Sequence, residues 1–100
     1  MNYILPSTTD YTVYTKSGCK FCSLVKDLLK DQQVTIVDCD SYLLSNKEDF
    51  LKYIYEMTSV NHRTFPIVFY EGNFIGGYTE TKKWFDQQTA FFFDFELFYK

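Results

Sequence analysis

The chain predicts an α/β fold in a single domain, with elements in the order β-α-β-α-β-β-α. Three observations carry this. Short β-branched or aromatic runs alternate with apolar stripes at helical spacing; a tight turn signal joins the last two strand-like runs; and a Cys-x-x-Cys pair sits where the first strand-like run gives way to the first helical one. With 100 residues, 46% of them hydrophobic, the chain has a common single-domain size and enough apolar surface for a core. One domain is expected over 1–100, with its patterned core at about 10–90 and an aromatic tail at 91–100.

Asp10-Tyr11-Thr12-Val13-Tyr14-Thr15 reads as the first strand. A helix follows, because Phe21, Leu24, Val25, Leu28 and Leu29 recur at the 3.6-residue period of one helix face. Val34 to Cys39 is a β-branched second strand. Ser45-Asn46-Lys47-Glu48 fits a capping box with Ser45 as N-cap, opening a helix whose apolar face is Phe50, Leu51, Ile54, Tyr55 and Thr58. Thr64 to Tyr70 is a third strand, and Glu71-Gly72-Asn73 a tight connection to a fourth at Phe74-Ile75-Gly76. Gly76-Gly77 breaks that strand, and Thr79 is the expected N-cap of a third helix. Beyond residue 90 two periods compete. Phe91, Phe93, Phe95 and Leu97 alternate as in a strand, whereas Trp84, Phe85, Gln88, Phe91, Phe92 and Phe95 fit a helix. The favoured expectation is a helix ending near residue 90 and a packed extended tail; an exposed aromatic patch for a partner is the alternative.

A formal net charge of −3 gives no electrostatic reason to expect nucleic acid as a partner. No apolar run approaches the ~20 residues needed to span a bilayer. Met1 to Pro6 shows neither a basic leader nor a long apolar stretch, so the expected setting is a reducing, cytoplasmic one. Three cysteines in such a setting, two of them in Cys19-Lys20-Phe21-Cys22, point to a working dithiol.

The chemistry follows from position. Two thiols three residues apart at a helix start can close a short disulfide. The first also lies beside unpaired backbone N–H groups and the positive end of the helix dipole, which favour thiolate over thiol. Lys16 and Lys20 add positive charge near it. A thiolate is the species that attacks a disulfide, so the pair predicts redox chemistry. Cys22 is expected to face the core and Cys19 the exposed helix tip. Cys39 reads as a small buried hydrophobe and His62 as a loop residue with no catalytic task. A zinc site built with these two is disfavoured because Cys39 lacks ligand spacing, and no metal site is expected.

Three segments in order, Thr15-Lys16-Ser17-Gly18-Cys19-Lys20-Phe21-Cys22, Arg63-Thr64-Phe65-Pro66 and Ile75-Gly76-Gly77-Tyr78-Thr79, make the chain resemble a dithiol glutaredoxin of the thioredoxin superfamily over about residues 10–90. The resemblance implies a three-layer sandwich around a central four-stranded mixed sheet. It implies a glutathione-dependent thiol–disulfide oxidoreductase with a redox-active Cys19–Cys22 disulfide, Cys19 as nucleophile and Cys22 as resolving thiol. It also implies a cis Phe65–Pro66 bond whose backbone meets extended glutathione. The glutathione groove it implies takes Lys16 and Arg63 for the glycine carboxylate, with Thr64, Phe65 and Pro66 as backbone wall. Phe21 is an apolar flank, and Gly76, Gly77, Tyr78 and Thr79 meet the γ-glutamyl end. Glutathione would be the reductant. Expected partners are glutathionylated or disulfide-containing proteins, ribonucleotide reductase among them, with the chain a monomer in cell redox homeostasis and electron transport.

The chain departs from the family pattern in three places. Cys-Lys-Phe-Cys replaces the usual Cys-Pro-Tyr-Cys, Phe65 stands where valine is commoner, and Tyr78-Thr79-Glu80 replaces the frequent acidic pair. Two alternatives stand beside the leading reading. One is a [2Fe-2S] cluster carrier ligated by Cys19 and glutathione, which the second cysteine disfavours and visible absorbance after anaerobic purification would reveal. The other is a thioredoxin-type electron donor, disfavoured by the missing Trp-Cys-Gly-Pro-Cys motif.

Overall fold

The computed structural model describes residues 2–98, with side-chain surroundings through residue 88. Its elements run β1 (Tyr11–Thr15), α1 (Lys20–Leu28), β2 (Val34–Asp38), α2 (Asp40–Thr58), β3 (Ile67–Tyr70), β4 (Asn73–Gly76) and α3 (Tyr78–Phe98). The strands form one mixed sheet in the order β2-β1-β3-β4. β1 pairs parallel with β2, Val13 opposite Ile36, and antiparallel with β3, Val13 opposite Val68. A parallel pair needs a crossover, which α1 supplies, whereas β3 and β4 need only a hairpin. At that hairpin Glu71 and Gly72 both have positive φ, 51° and 82°, as a two-residue turn matched to strand twist requires.

The strand period of two sorts the core onto two faces. Tyr14, Val37, Ile67 and Phe69 point towards α2 and meet Phe50, Leu51 and Ile54. Tyr11, Val13 and Val68 point the other way and meet Val25 of α1 and its C-cap residue Leu29, with Tyr78, Trp84 and Phe85 of α3 packed against them. The result is helix, sheet, helices: the expected three layers. β1 is buried along its whole length because it lies inside the sheet and is covered on both faces. The N-terminal segment, to which the sequence assigned no element, also joins the core. The Tyr3 ring packs on Tyr42, Phe50 and Tyr53, its hydroxyl donates to Asp49, and the Tyr14 hydroxyl donates to the Ile4 carbonyl at 2.6 Å.

Several boundaries differ from expectation. Helix α2 opens at Asp40, with Cys39 as its N-cap residue, and kinks at Asn46 (φ −162°, ψ 86°). The second segment is therefore capped by Asn46, whose Oδ1 accepts the Asp49 N–H at 3.0 Å, and not by Ser45. Asparagine caps as well as serine, and the one that leaves helical backbone takes the role. Within α2, Phe50, Leu51 and Ile54 are buried as expected, but Tyr55 is exposed. Helix α3 opens two residues earlier than the Thr79 cap implied. Gly77 is its N-cap: its carbonyl accepts the Thr81 N–H at 3.0 Å, and its own N–H donates to Glu80 Oε1 at 2.7 Å. That is the acidic half of a capping box, without the N-cap hydroxyl.

β3 starts at Ile67 and not Thr64, since Pro66 brings no N–H to a ladder. The helix expected to end near residue 90 continues to Phe98, so the extended tail is corrected to helix. No Gly or Pro interrupts the stripe from Trp84 to Phe95, and without a breaker the helical period prevails. How the aromatic side chains beyond residue 88 pack lies outside the described residues. Among those described, no helix is long and apolar enough to cross a membrane. Asn46→Ala should cost about 1 kcal/mol of stability, read from the urea midpoint, with Ser45→Ala near neutral; equal costs would return the cap to Ser45.

Candidate active site

The site is built on the tip of α1. Cys19 is the N-cap residue, in extended backbone (φ −109°, ψ 103°), and its Sγ accepts the Cys22 N–H at 3.1 Å. A sulfur thus stands where a serine or aspartate oxygen usually caps a helix. Cys19 and Cys22 are joined in a disulfide, their Cα atoms 5.2 Å apart. The two differ sharply in access. Cys22 is 2% exposed, on the α1 face that continues through Val25 and Leu29, whereas Cys19 is half-buried at the tip. Phe21 and Leu24, read from sequence as part of the buried stripe, are exposed.

The loop ahead of Cys19 is tied down from α2. Asp40 accepts the Ser17 N–H on Oδ1 at 2.8 Å and the Ser17 hydroxyl on Oδ2. The Ser17 hydroxyl and backbone N–H hold the Asp40 carboxyl below the usual aspartate range, and Lys16 acts in the same direction. Gly18 then takes φ +67°, with open space where a Cβ would be, so the turn needs its backbone freedom and not its small volume.

A second wall comes from the segment before β3. The Phe65–Pro66 bond is cis, as the resemblance implied. The Phe65 carbonyl oxygen lies 3.6 Å from Cys19 Sγ. The Phe65 ring stacks on Phe50 of the core (6.2 Å, 12° between planes), and Lys16 Nζ sits 5.7 Å from its centroid. The phenylalanine thus fixes this wall to α2 on one side and attracts a groove cation on the other. Thr64 is exposed beside it. Arg63 is exposed as well, but turns to α2, where its guanidinium donates to Glu48 at 2.7 Å and holds that carboxyl below its ordinary range.

The third wall is the β4–α3 junction. Gly76 has φ +140°, and a Cβ there would come within 2.7 Å of Glu80 Oε1. A Cβ on Gly77 would lie 3.5 Å from the Pro66 carbonyl oxygen, so this wall approaches the proline wall closely. Tyr78 stacks on Phe21 (5.8 Å, 29°), bridging α3 to the dithiol motif, and Thr79 is exposed on the first turn.

Of the residues expected at the site, Cys19, Cys22, Lys16, Phe21, Phe65, Pro66, Gly76, Gly77 and Tyr78 are linked by these contacts, while Arg63 is engaged elsewhere. Sequence reasoning missed Asp40 and His62. An aspartate 23 residues from Ser17 has no local signal, and His62 gained its neighbours only through folding. Its Nε2 lies 3.3 Å from the Pro66 carbonyl oxygen and its ring meets Phe74 edge-on at 5.4 Å. Cys39 stands apart in the core, and burial pushes its thiol up to about 12. Among the described residues no three His, Cys, Asp or Glu side chains gather as a metal site.

The depressed Asp40 carboxyl gives the tether a pH window. Its contribution is fully present above the ordinary aspartate value of about 3.9 and is lost as pH falls through the lower folded value. The Ser17 amide resonance should titrate with a midpoint below that ordinary value, and Asp40→Asn should remove the step; a midpoint at 3.9 would refute the tether.

Comparison with known proteins agrees with this geometry. The Glutaredoxin family model matches residues 11–75. The mitochondrial glutaredoxin-2 of Pongo abelii is 34% identical over 71 residues, 71% of this chain but 43% of that protein, so the chain spans less than half of that relative's length. Glutaredoxin-2 of Schizosaccharomyces pombe is 30% identical over 77 residues, covering 77% of this chain and 68% of that one. The crystal structure of glutaredoxin 1 from Francisella tularensis superposes with a TM-score of 0.70 at 23% identity, over 80% of this chain and 95% of that one, and shares its fold. A family-model match that takes in the dithiol, the cis-proline segment and the strand leading to Gly76 makes this chain a member of the glutaredoxin family.

Proposed function

We propose that the chain is a glutathione-dependent thiol–disulfide oxidoreductase. The observation that carries this reading is the Cys19–Cys22 disulfide at the head of α1, with one accessible sulfur and one buried. In the reduced state the Cys19 sulfur, receiving the Cys22 N–H and the positive end of the helix dipole, is stabilised as a thiolate. That thiolate attacks the sulfur of a protein–glutathione mixed disulfide. A new Cys19–S–S–glutathione bond forms, and the protein leaves as its thiolate. A second glutathione thiolate then attacks the glutathione sulfur, releasing glutathione disulfide and restoring Cys19. With a protein disulfide, the Cys22 thiolate instead attacks Cys19 in the mixed disulfide. This closes the bond seen here, and two glutathione molecules reopen it.

Docking uses the three walls. The Phe65 backbone offers main-chain partners to an extended tripeptide beside the Cys19 sulfur. Lys16 supplies cationic charge above Phe65 for the glycine carboxylate. Arg63 reaches the same end after exchanging Glu48 for the ligand, a modest cost because exposed ion pairs are weak. The first turn of α3, Tyr78 and Thr79 behind Gly76-Gly77, presents N–H groups to the γ-glutamyl carboxylate. Phe21, stacked on Tyr78, forms the apolar rim. We further propose that the protein acts as a monomer in a reducing, cytoplasmic setting. Its acceptors there are glutathionylated proteins or a disulfide enzyme such as ribonucleotide reductase.

In a glutathione-coupled assay on a small mixed disulfide, Cys19→Ser should abolish turnover while Cys22→Ser retains much of it; equal loss in both contradicts the roles assigned. Arg63→Glu should raise KM for a glutathionylated substrate about two- to fivefold, the scale of a partly exposed charge contact, with the Cys19 alkylation rate unchanged. An unaltered KM would remove Arg63 from the groove.

A further inference from the structure

His62 connects the two backbone walls of the site. It stands four residues before Pro66, and Nε2 is 3.3 Å from the Pro66 carbonyl oxygen. A carbonyl only accepts, so Nε2 carries the hydrogen and donates it. On the opposite wall, Cε1 of the same ring is 3.3 Å from where a Cβ on Gly77 would stand, so the imidazole packs closely against this wall and a side chain there would press on it. The ring is fixed from below by Phe74, edge-on at 5.4 Å, and Phe74 in turn meets Phe69 of the core at 5.6 Å. Pro66 lies one residue before β3 begins, so its carbonyl precedes the β3–β4 ladder and takes its bond from His62.

We propose that His62 is a positioning residue for peptide docking. Its Nε2–H holds the Pro66 carbonyl and so fixes where the Phe65–Pro66 wall stands relative to the Gly76–Gly77 wall, which sets the width of the groove that receives the tripeptide. The inference rests on the glutathione groove proposed above. The ring meets Pro66, Phe74 and Gly77 and has no described contact with Cys19, so it acts on binding and not on the sulfur.

The test uses single-turnover reactions of the reduced 100-residue chain with two substrates, a glutathionylated peptide and 2-hydroxyethyl disulfide, which has no peptide to dock. Wild type should half-saturate with the peptide at much the lower concentration. His62→Ala should raise that half-saturation concentration about five- to tenfold, the scale of one hydrogen bond lost to a part-buried carbonyl. The limiting rate should stay within about twofold, because the sulfur is untouched. The 2-hydroxyethyl disulfide and iodoacetamide rates should not change. His62→Phe retains an aromatic ring against Phe74 and lacks the donor; it should behave as His62→Ala, and it carries the test if the alanine variant does not fold. His62→Gln, with an amide donor, should restore tight half-saturation. If wild type shows no preference for the glutathionylated peptide, the groove reading falls and this proposal with it. If the preference exists and survives in His62→Phe, only the role of His62 is overturned.

Discussion

A sulfur atom in place of a helix-capping oxygen is the interaction on which the rest of the site depends. Helix α1 begins with N–H groups that its own backbone does not satisfy, and Cys19 Sγ accepts one of them, from Cys22. The contact ties the reactive atom to a rigid element. It also aligns that atom with its partner cysteine, to which it is bonded. Burial does the remainder: Cys22 continues the face that Val25 and Leu29 press into the sheet, so of the two sulfurs Cys19 is the more accessible. Asymmetry between two chemically identical thiols thus arises from which side of one helix each occupies.

The loops around that atom are held by anchors that reach into or across the fold. Asp40, at the head of α2, fixes the loop before Cys19 through both hydrogen-bonding groups of Ser17. The Phe65 ring lies on Phe50, the aromatic centre of the α2 face, so the proline segment is seated on the core. Glu80 caps Gly77 and holds the start of α3, while the same carboxylate leaves no room for a side chain at Gly76. Loops carry the chemistry here, and each is positioned by one or two contacts to a rigid neighbour.

The elements written by local pattern were legible before folding. The strand run of β1, the helix behind Cys19, the tight turn at Glu71-Gly72 and the breaker pair Gly76-Gly77 each carry a local signal. Each element lies within a residue or so of where the pattern put it, although Phe21 and Leu24 of the expected stripe are exposed. Errors fall where two local signals compete. Ser45 and Asn46 both cap helices, and only backbone geometry chose between them. Thr79 looked like a cap, but Glu80 bonding back to Gly77 placed the boundary earlier. Residues 91–98 carried both a strand and a helix period, and continuity with an unbroken helix won.

The sequence by itself determined the order of elements and the position of the dithiol at a helix start, and through three spaced motifs it pointed to the family. These are properties of neighbours along the chain. Only the tertiary structure decided that Arg63 pairs with Glu48, that Asp40 tethers Ser17, and that His62 comes to rest between Pro66 and Gly77. Each of these joins separate segments, and even His62 and Pro66, four residues apart, meet across an irregular loop. A side chain's partner there depends on how distant backbone is brought together, and no local periodicity encodes it.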